Sequence, residues 1–279
     1  MVTDLSITLG VGPADPTAPG VEVVWEDDRL RIAATNDPGG RVRATATPDG
    51  VVVLLHRAPL PAALAESMRS GQPVTPDLAR SLGTGWVAAS WHRSEDRLEV
   101  FADPLARRPV HWDRADGVLR VHTDLVALLD QLPGRRVDTR SVAAALVEGR
   151  TPAQPASLYQ SMATVPAGHV LTVTGSGEPT VTRWWEWDVD PAEPASPADV
   201  RRAIGDALAG DTDASAAVLL SGGLDSSMLA GMAPVGTALT IRYDGLPCDE
   251  TRFQDAVVGH IGLREMPVGV NELDPDLDL

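Results

Sequence analysis

The run from Ala216 to Ala230 constrains this chain more than any other stretch. Ala216–Leu220 is apolar without a break, which predicts a short strand buried on both faces. Ser221-Gly222-Gly223 is a turn by composition, and Asp225–Met232 has a helical pattern. A second strand is predicted over Thr237–Tyr243, and a second helix over Asp249–Ile261 with Phe253, Val257 and Ile261 along one face. A third strand starts near Met266 and runs to Val270. Strand–helix–strand–helix–strand means parallel crossover units of an open α/β sheet. Such sheets hold ligands at the C-terminal ends of their strands, where this turn lies.

The turn has the chemistry of an anion cradle. Gly222 and Gly223 let the backbone bend sharply and approach a ligand with no Cβ in the way. The N–H groups from Ser221 to Ser226, just beyond Leu220, would face an anion together with the positive end of the helix dipole. Ser221, Ser226 and Ser227 add hydroxyl donors. Asp225 would repel a phosphate, so it makes sense only as a ligand for a Mg²⁺ that bridges to one. Gly-Lys-Ser/Thr is missing, so this is not a Walker A loop. The competing reading is an ordinary strand–turn–helix junction with Asp and Ser as caps.

The first 125 residues are different. Short apolar or alternating runs at Val21–Trp25, Leu30–Ala34, Val51–Leu55, Trp86–Trp91, Leu98–Ala102, Val110–Trp112 and Leu119–Thr123 are separated by turn formers such as Asp116-Gly117. They predict a meandering, mainly antiparallel sheet system. Helical patches are expected at Pro61–Ser70, Pro76–Leu82, Leu125–Gln131 and Thr139–Glu148, the last with Ala143, Leu146 and Val147 on one face. A hairpin follows over Gly168–Thr174 and Pro179–Trp185. Trp184, Trp185 and Trp187 cluster at its end, as if to pack between domains. Asp188–Pro197 mixes Pro191, Pro194 and Pro197 with acids and alanines and reads as a linker. It leads to Ser196-Pro197-Ala198-Asp199, a helix start. The expected division is therefore residues 1–187, a linker at 188–197, and residues 198–279.

Composition narrows the partners. With 23 basic against 39 acidic side chains and a net charge of -16, anionic surfaces are repelled, so neither nucleic acid nor a membrane surface is an expected partner. No apolar run approaches ~20 residues and no leader pattern opens the chain, so a cytoplasmic location is expected. The one cysteine, Cys248, makes neither an internal disulfide nor a thiolate cluster, and the six histidines show no metal-binding spacing. Every basic residue is arginine.

Ser221-Gly-Gly-Leu-Asp-Ser-Ser227 resembles the pyrophosphate loop of N-type ATP pyrophosphatases, in the form of the asparagine synthetase superfamily. That superfamily includes β-lactam synthetases and the macrolactam-forming lasso peptide cyclases. Asp103-Pro-Leu-Ala-Arg-Arg-Pro109 resembles a family segment in which Gly is usual where Ala106 stands. Val165-Pro-Ala-Gly-His169, Arg183-Trp184-Trp185 and Asp249-Glu250 are similar to further collinear elements. The resemblance implies an α+β amidotransferase-like Ntn sandwich followed by an α/β ATP pyrophosphatase domain. It also implies ATP and Mg²⁺, with Leu220, Ser221, Gly222, Gly223, Asp225, Ser226 and Ser227 holding the nucleotide and Asp225 the metal. The implied reaction activates a carboxylate as its acyl-adenylate, releases pyrophosphate, and lets an amine form the amide.

Two departures qualify that expectation. Glutamine-dependent relatives use a cysteine at residue 2 as nucleophile; here residue 2 is Val2, and Leu54–Ala58 stands where their Asn-Gly-Glu motif would be. The amine is therefore expected from the substrate, a precursor peptide in a lasso cyclase-like reading, and not from glutamine. The family's phosphate-stabilising lysine has no counterpart, and Arg242, Arg252 and Arg264 match no family position. The synthetase domain is expected to be incomplete. That leaves open a nucleotide-binding remnant or accessory subunit that needs a second polypeptide.

Overall fold

A computed structural model describes residues 4–9, 21–35, 42–56, 75, 77, 82–83, 85–132, 134, 136–148, 157–186, 194–212, 215–243 and 245–269. The chain forms two compact units, Met1–Asp188 and Val189–Leu279.

The first unit is built on two six-stranded antiparallel sheets. Its strands are β1 (Asp4–Leu9), β2 (Val21–Glu26), β3 (Leu30–Thr35), β4 (Val42–Thr47), β5 (Gly50–His56), β6 (Trp86–His92), β7 (Arg97–Ala102), β8 (His111–Ala115), β9 (Val118–His122), β10 (Met162–Thr164), β11 (His169–Thr174) and β12 (Thr180–Arg183). One sheet has the order β10-β8-β9-β1-β3-β2 and the other β12-β11-β7-β6-β5-β4. Alternation decides which residues meet between them. Leu5, Ile7, Ile32, Leu119 and Val121 of the first sheet share a core with Val51, Val53, Leu55, Val100 and Leu171 of the second. The tight turn between β8 and β9 puts Asp116 and Gly117 at positive φ, the geometry favoured in two-residue hairpins.

Helix α1 (Leu125–Asp130) is capped by Asp124, whose carboxylate accepts from the N–H of Val126 at 2.8 Å. Its buried Leu128 and Leu129 join Met162 in a small cluster. Helix α2 (Thr139–Glu148) follows a carboxylate at Asp138 that accepts from the Arg140 N–H and the Ser141 hydroxyl. Leu146 and Val147, expected on an apolar face, are exposed.

The expected strands are present, with ends differing by up to three residues, and among the described residues three more join them. β4 shows weak alternation because it is an edge strand, with most of its side chains outside the core. β10 is only three residues long and pairs at the other sheet's edge. β1 carries the alternation Leu5, Ile7, Leu9, and pairs with both β3 and β9. Trp184 packs within the first unit: its ring lies 5.8 Å from Trp86 and 6.0 Å from Phe101, and its N–H donates to the carbonyls of Ala102 and His169. The Pro61–Ser70 patch, most of the Pro76–Leu82 patch, Trp187 and much of the linker fall outside the described residues.

The second unit begins with α3 (Pro197–Asp211). Ser196 and Asp199 form a reciprocal capping box around Pro197. A three-stranded parallel sheet follows, in the order β13 (Ala217–Leu219), β14 (Thr237–Arg242), β15 (Arg264–Gly269), with α4 (Leu224–Met232) and α5 (Thr251–Ile261) between strands. Leu220, Ala230 and Ala238 are buried together with Val218, Val257, Val258 and Leu263 against them, so α4 and α5 cover the same sheet face. The next row, Leu219–Leu239–Met266 in register, leaves Leu219 60% and Met266 48% exposed. α5 stops at Gly262, which takes the left-handed conformation at φ 79°.

Candidate functional site

The bend after β13 is held by its own atoms and by α5. Leu220 is fully buried, and its N–H donates to the Leu239 carbonyl at 2.8 Å, fixing the end of the strand. The Ser221 N–H donates to the Ser226 Oγ at 3.2 Å, and the two hydroxyls lie 3.0 Å apart. The Gly223 N–H donates to the Ser221 Oγ at 3.3 Å. Ser227 Oγ donates to the Gly223 carbonyl at 2.6 Å, and Ser226 Oγ reaches the same carbonyl at 3.3 Å. The hydroxyls of the three serines thus brace the loop.

Gly222 has φ +88°, open to glycine and strained for other residues. A Cβ there would sit 3.0 Å from the Phe253 Cβ and 3.2 Å from the Gln254 nitrogen. The first turn of α5 therefore packs directly on the loop backbone. Gln254 completes the arrangement. Only 3% exposed, its side-chain amide donates to the carbonyls of Leu220 at 3.3 Å, Ser221 at 3.4 Å and Ile241 at 3.2 Å. It ties the ends of β13 and β14 together beneath the bend. Sequence reasoning missed it. A polar residue within the helix that carries Phe253 and Val257 was the available signal.

Gly223 caps α4 with no side-chain hydrogen bond to the helix. The first-turn N–H groups of Leu224 and Asp225 are consequently not taken by a cap. Asp225 is exposed in that turn and makes no ion pair or hydrogen bond among the described residues. These features fit a phosphate with its metal: free donors at a helix end, a backbone without Cβ, and an uncommitted carboxylate. No group of three or more His, Cys, Asp or Glu arranged for a metal occurs among the described residues, so a metal here would draw its other ligands from phosphate and water.

Around the loop the charges are mostly acidic or committed. Asp249 and Glu250 precede α5 and are exposed; Asp249 accepts from the N–H and hydroxyl of Thr251, which holds its carboxyl below the usual range. Arg242 is held by Asp255 at 2.7 Å and by Glu265, and donates to the Thr251 carbonyl. Arg252 lies over the Phe253 ring, 4.4 Å from its centre. Tyr243 is half-buried just past β14. Cys248 is a free, exposed thiol in this second unit. No helix among the described residues is long and apolar enough to cross a membrane.

No curated protein matches the chain by sequence. Among solved structures it is similar to the glutamine phosphoribosylpyrophosphate (PRPP) amidotransferase from B. subtilis complexed with ADP and GMP, at 11% identity and a TM-score of 0.34. That match covers 95% of this chain and 59% of the amidotransferase, so the chain spans under two thirds of its length. The asparagine synthase family model matches residues 199–277, a segment that contains the whole of the bend from Leu220 to Ser227. Over that segment, under a third of its length, the chain is similar to the asparagine synthase family.

Proposed function

We propose that the second unit binds Mg-ATP at the β13–α4 bend and serves an ATP-dependent amide ligase that activates a carboxylate as its acyl-adenylate. The family is one of ATP-dependent amide ligases. The observation that carries the site is the exposed, unpartnered Asp225 beside an uncapped helix start and a glycine at φ +88°. Magnesium would neutralise the β- and γ-phosphates. The chain's own part is to hold them in line: main-chain N–H groups of the first turn of α4 donate to phosphate oxygens, and Asp225 orients the ion. The serine braces and Gln254 keep that geometry fixed before the nucleotide arrives.

The attacking amine comes from the substrate in this reading, because the only thiol is Cys248. A precursor peptide that closes on itself, as in lasso peptide cyclases, is the substrate class it favours. One observation favours a second reading, in which the chain works with another polypeptide: the sheet row Leu219–Leu239–Met266 leaves apolar side chains open, whereas parallel sheets are normally covered on both faces.

Calorimetric titration of ATP with and without Mg²⁺ tests the site. Binding should need the metal and disappear in Asp225→Ala, while thermal stability changes by no more than ~0.5 kcal/mol because the side chain is exposed and unpaired. Metal-dependent affinity unchanged in that variant would refute the assignment. Carboxylate-dependent exchange of labelled pyrophosphate into ATP, run with and without the polypeptide encoded next to this one, separates the two readings.

A further inference from the structure

A cavity of about 260 Å³ lies on the first unit, against β8, β9 and α1, far along the chain from the ATP loop. Leu129, Leu132 and Met162 form apolar wall, and Asp113, Arg120 and Arg136 bring charge to it. Asp113 is the anomaly. It is 0% exposed, and neither carboxylate oxygen has a hydrogen-bond partner. An ionised carboxylate buried in this way is costly unless donors reach it.

Arg120 stands directly opposite Asp113 in the β8–β9 register, half-buried. Neither it nor the exposed Arg136 takes an ion pair among the described residues. In the wall of one small cavity thus lie a buried acid without donors and two guanidinium groups without acceptors. A bare cation would satisfy the acid but meet repulsion from the arginines. A bare anion would satisfy the arginines and leave Asp113 empty. A zwitterion satisfies both.

We propose that this cavity binds a free apolar α-amino acid. Its ammonium donates to Asp113, its carboxylate lies on Arg120 and Arg136, and its side chain packs against Leu129, Leu132 and Met162. Asp113 has no exposed surface of its own, so contact with the ammonium comes with a side-chain shift in the wall. Half-buried Arg120 is the side chain placed to make it, turning from the strand pair toward the ligand's carboxylate.

The test is isothermal titration calorimetry of the full chain with L-leucine, L-leucinamide, which lacks the carboxylate, and 4-methylpentanoate, which lacks the amine. L-leucine should bind one to one, and the two analogues should bind roughly tenfold or more weakly. Asp113→Asn and Arg120→Gln should each weaken L-leucine by a similar factor. Asp113→Asn removes an unpaired buried charge and Arg120→Gln a half-buried unpaired one, so both chains should still fold. No heat with L-leucine up to ~10 mM, the weak end of small-ligand sites, would overturn the proposal. So would leucinamide binding as tightly as leucine, or full affinity in Asp113→Asn; Arg120 would then simply close on Asp113.

Discussion

The side-chain amide of Gln254 donates to the main-chain carbonyl of Leu220 at 3.3 Å, joining the helix after β14 to the last residue before the glycine bend. The same nitrogen reaches Ser221 and Ile241, while the Gln254 Oε1 is buried without a partner. Replacing Gln254 by Met keeps the volume and removes the donors. The second unit should lose about 1–3 kcal/mol, the usual cost of leaving buried carbonyls unsatisfied. Hydrogen exchange across residues 219–227 should rise, and ATP should bind more weakly. Unchanged exchange would show that the loop holds its shape without this clamp.

Gly222→Ala attacks the same contact from the loop side. The new methyl group meets the Phe253 Cβ at 3.0 Å and forces a residue with a side chain to φ +88°. The left-handed conformation alone costs about 1–2 kcal/mol, and the crowding adds to it. We expect a lowered unfolding midpoint for the second unit and reduced ATP affinity. Wild-type affinity in a folded Gly222→Ala chain would show that the backbone does not approach the phosphates here.

Ala106→Gly should have the opposite sign. Asp103 is fully buried and accepts from the N–H groups of Leu105 at 2.8 Å and Arg107 at 3.1 Å, a turn that puts Ala106 at φ +45°. Glycine relieves that strain and loses some of the gain to its freer unfolded chain, for a net increase of up to ~1 kcal/mol. Chemical denaturation followed by tryptophan emission reads this cleanly, because all seven tryptophans lie between residues 25 and 187.

His122 predicts a pH dependence. It is buried on the first sheet, and burial pushes its pKa down to about 4, with Asp124 pulling the other way. The Asp124 N–H donates to its Nδ1 at 2.8 Å, so that nitrogen is unprotonated. The folded state thus resists a proton that the unfolded chain takes up near its ordinary pKa of 6.5. Stability is unaffected above that value and falls as the pH drops from about 6.5 toward 4, by roughly 3 kcal/mol in full linkage. His111, also lowered by burial, acts in the same direction. His122→Gln should flatten the decline over that interval; an equally steep curve would mean that other groups cause it.

The strand–turn–helix at residues 216–232 was legible because three independent signals coincide there: an apolar run, paired glycines and a helical period. The expected strands, Trp86–Trp91 for example, were legible from apolar content alone because they fill the sandwich core. β4 and β10 were not, since β4 keeps most of its side chains outside the core and β10 is only three residues long. The serines were read as ligand donors, yet Ser221, Ser226 and Ser227 satisfy one another and the Gly223 carbonyl, a choice among partners that only coordinates resolve. Gln254 and Asp113 were missed for a shared reason. Their significance is burial without full satisfaction, a property of surroundings brought from distant parts of the chain.

Arg242, only 11% exposed, is engaged by two carboxylates and a carbonyl. Its charge is balanced by Asp255 and Glu265 within the second unit. Asp225 in the first turn of α4 and Asp249 and Glu250 just before α5 are exposed, and Arg242 makes its ion pairs to Asp255 and Glu265 instead. In the proposed Mg-ATP site these acids would draw in a divalent cation, turn away metal-free triphosphate, and admit the nucleotide with its ion already bound.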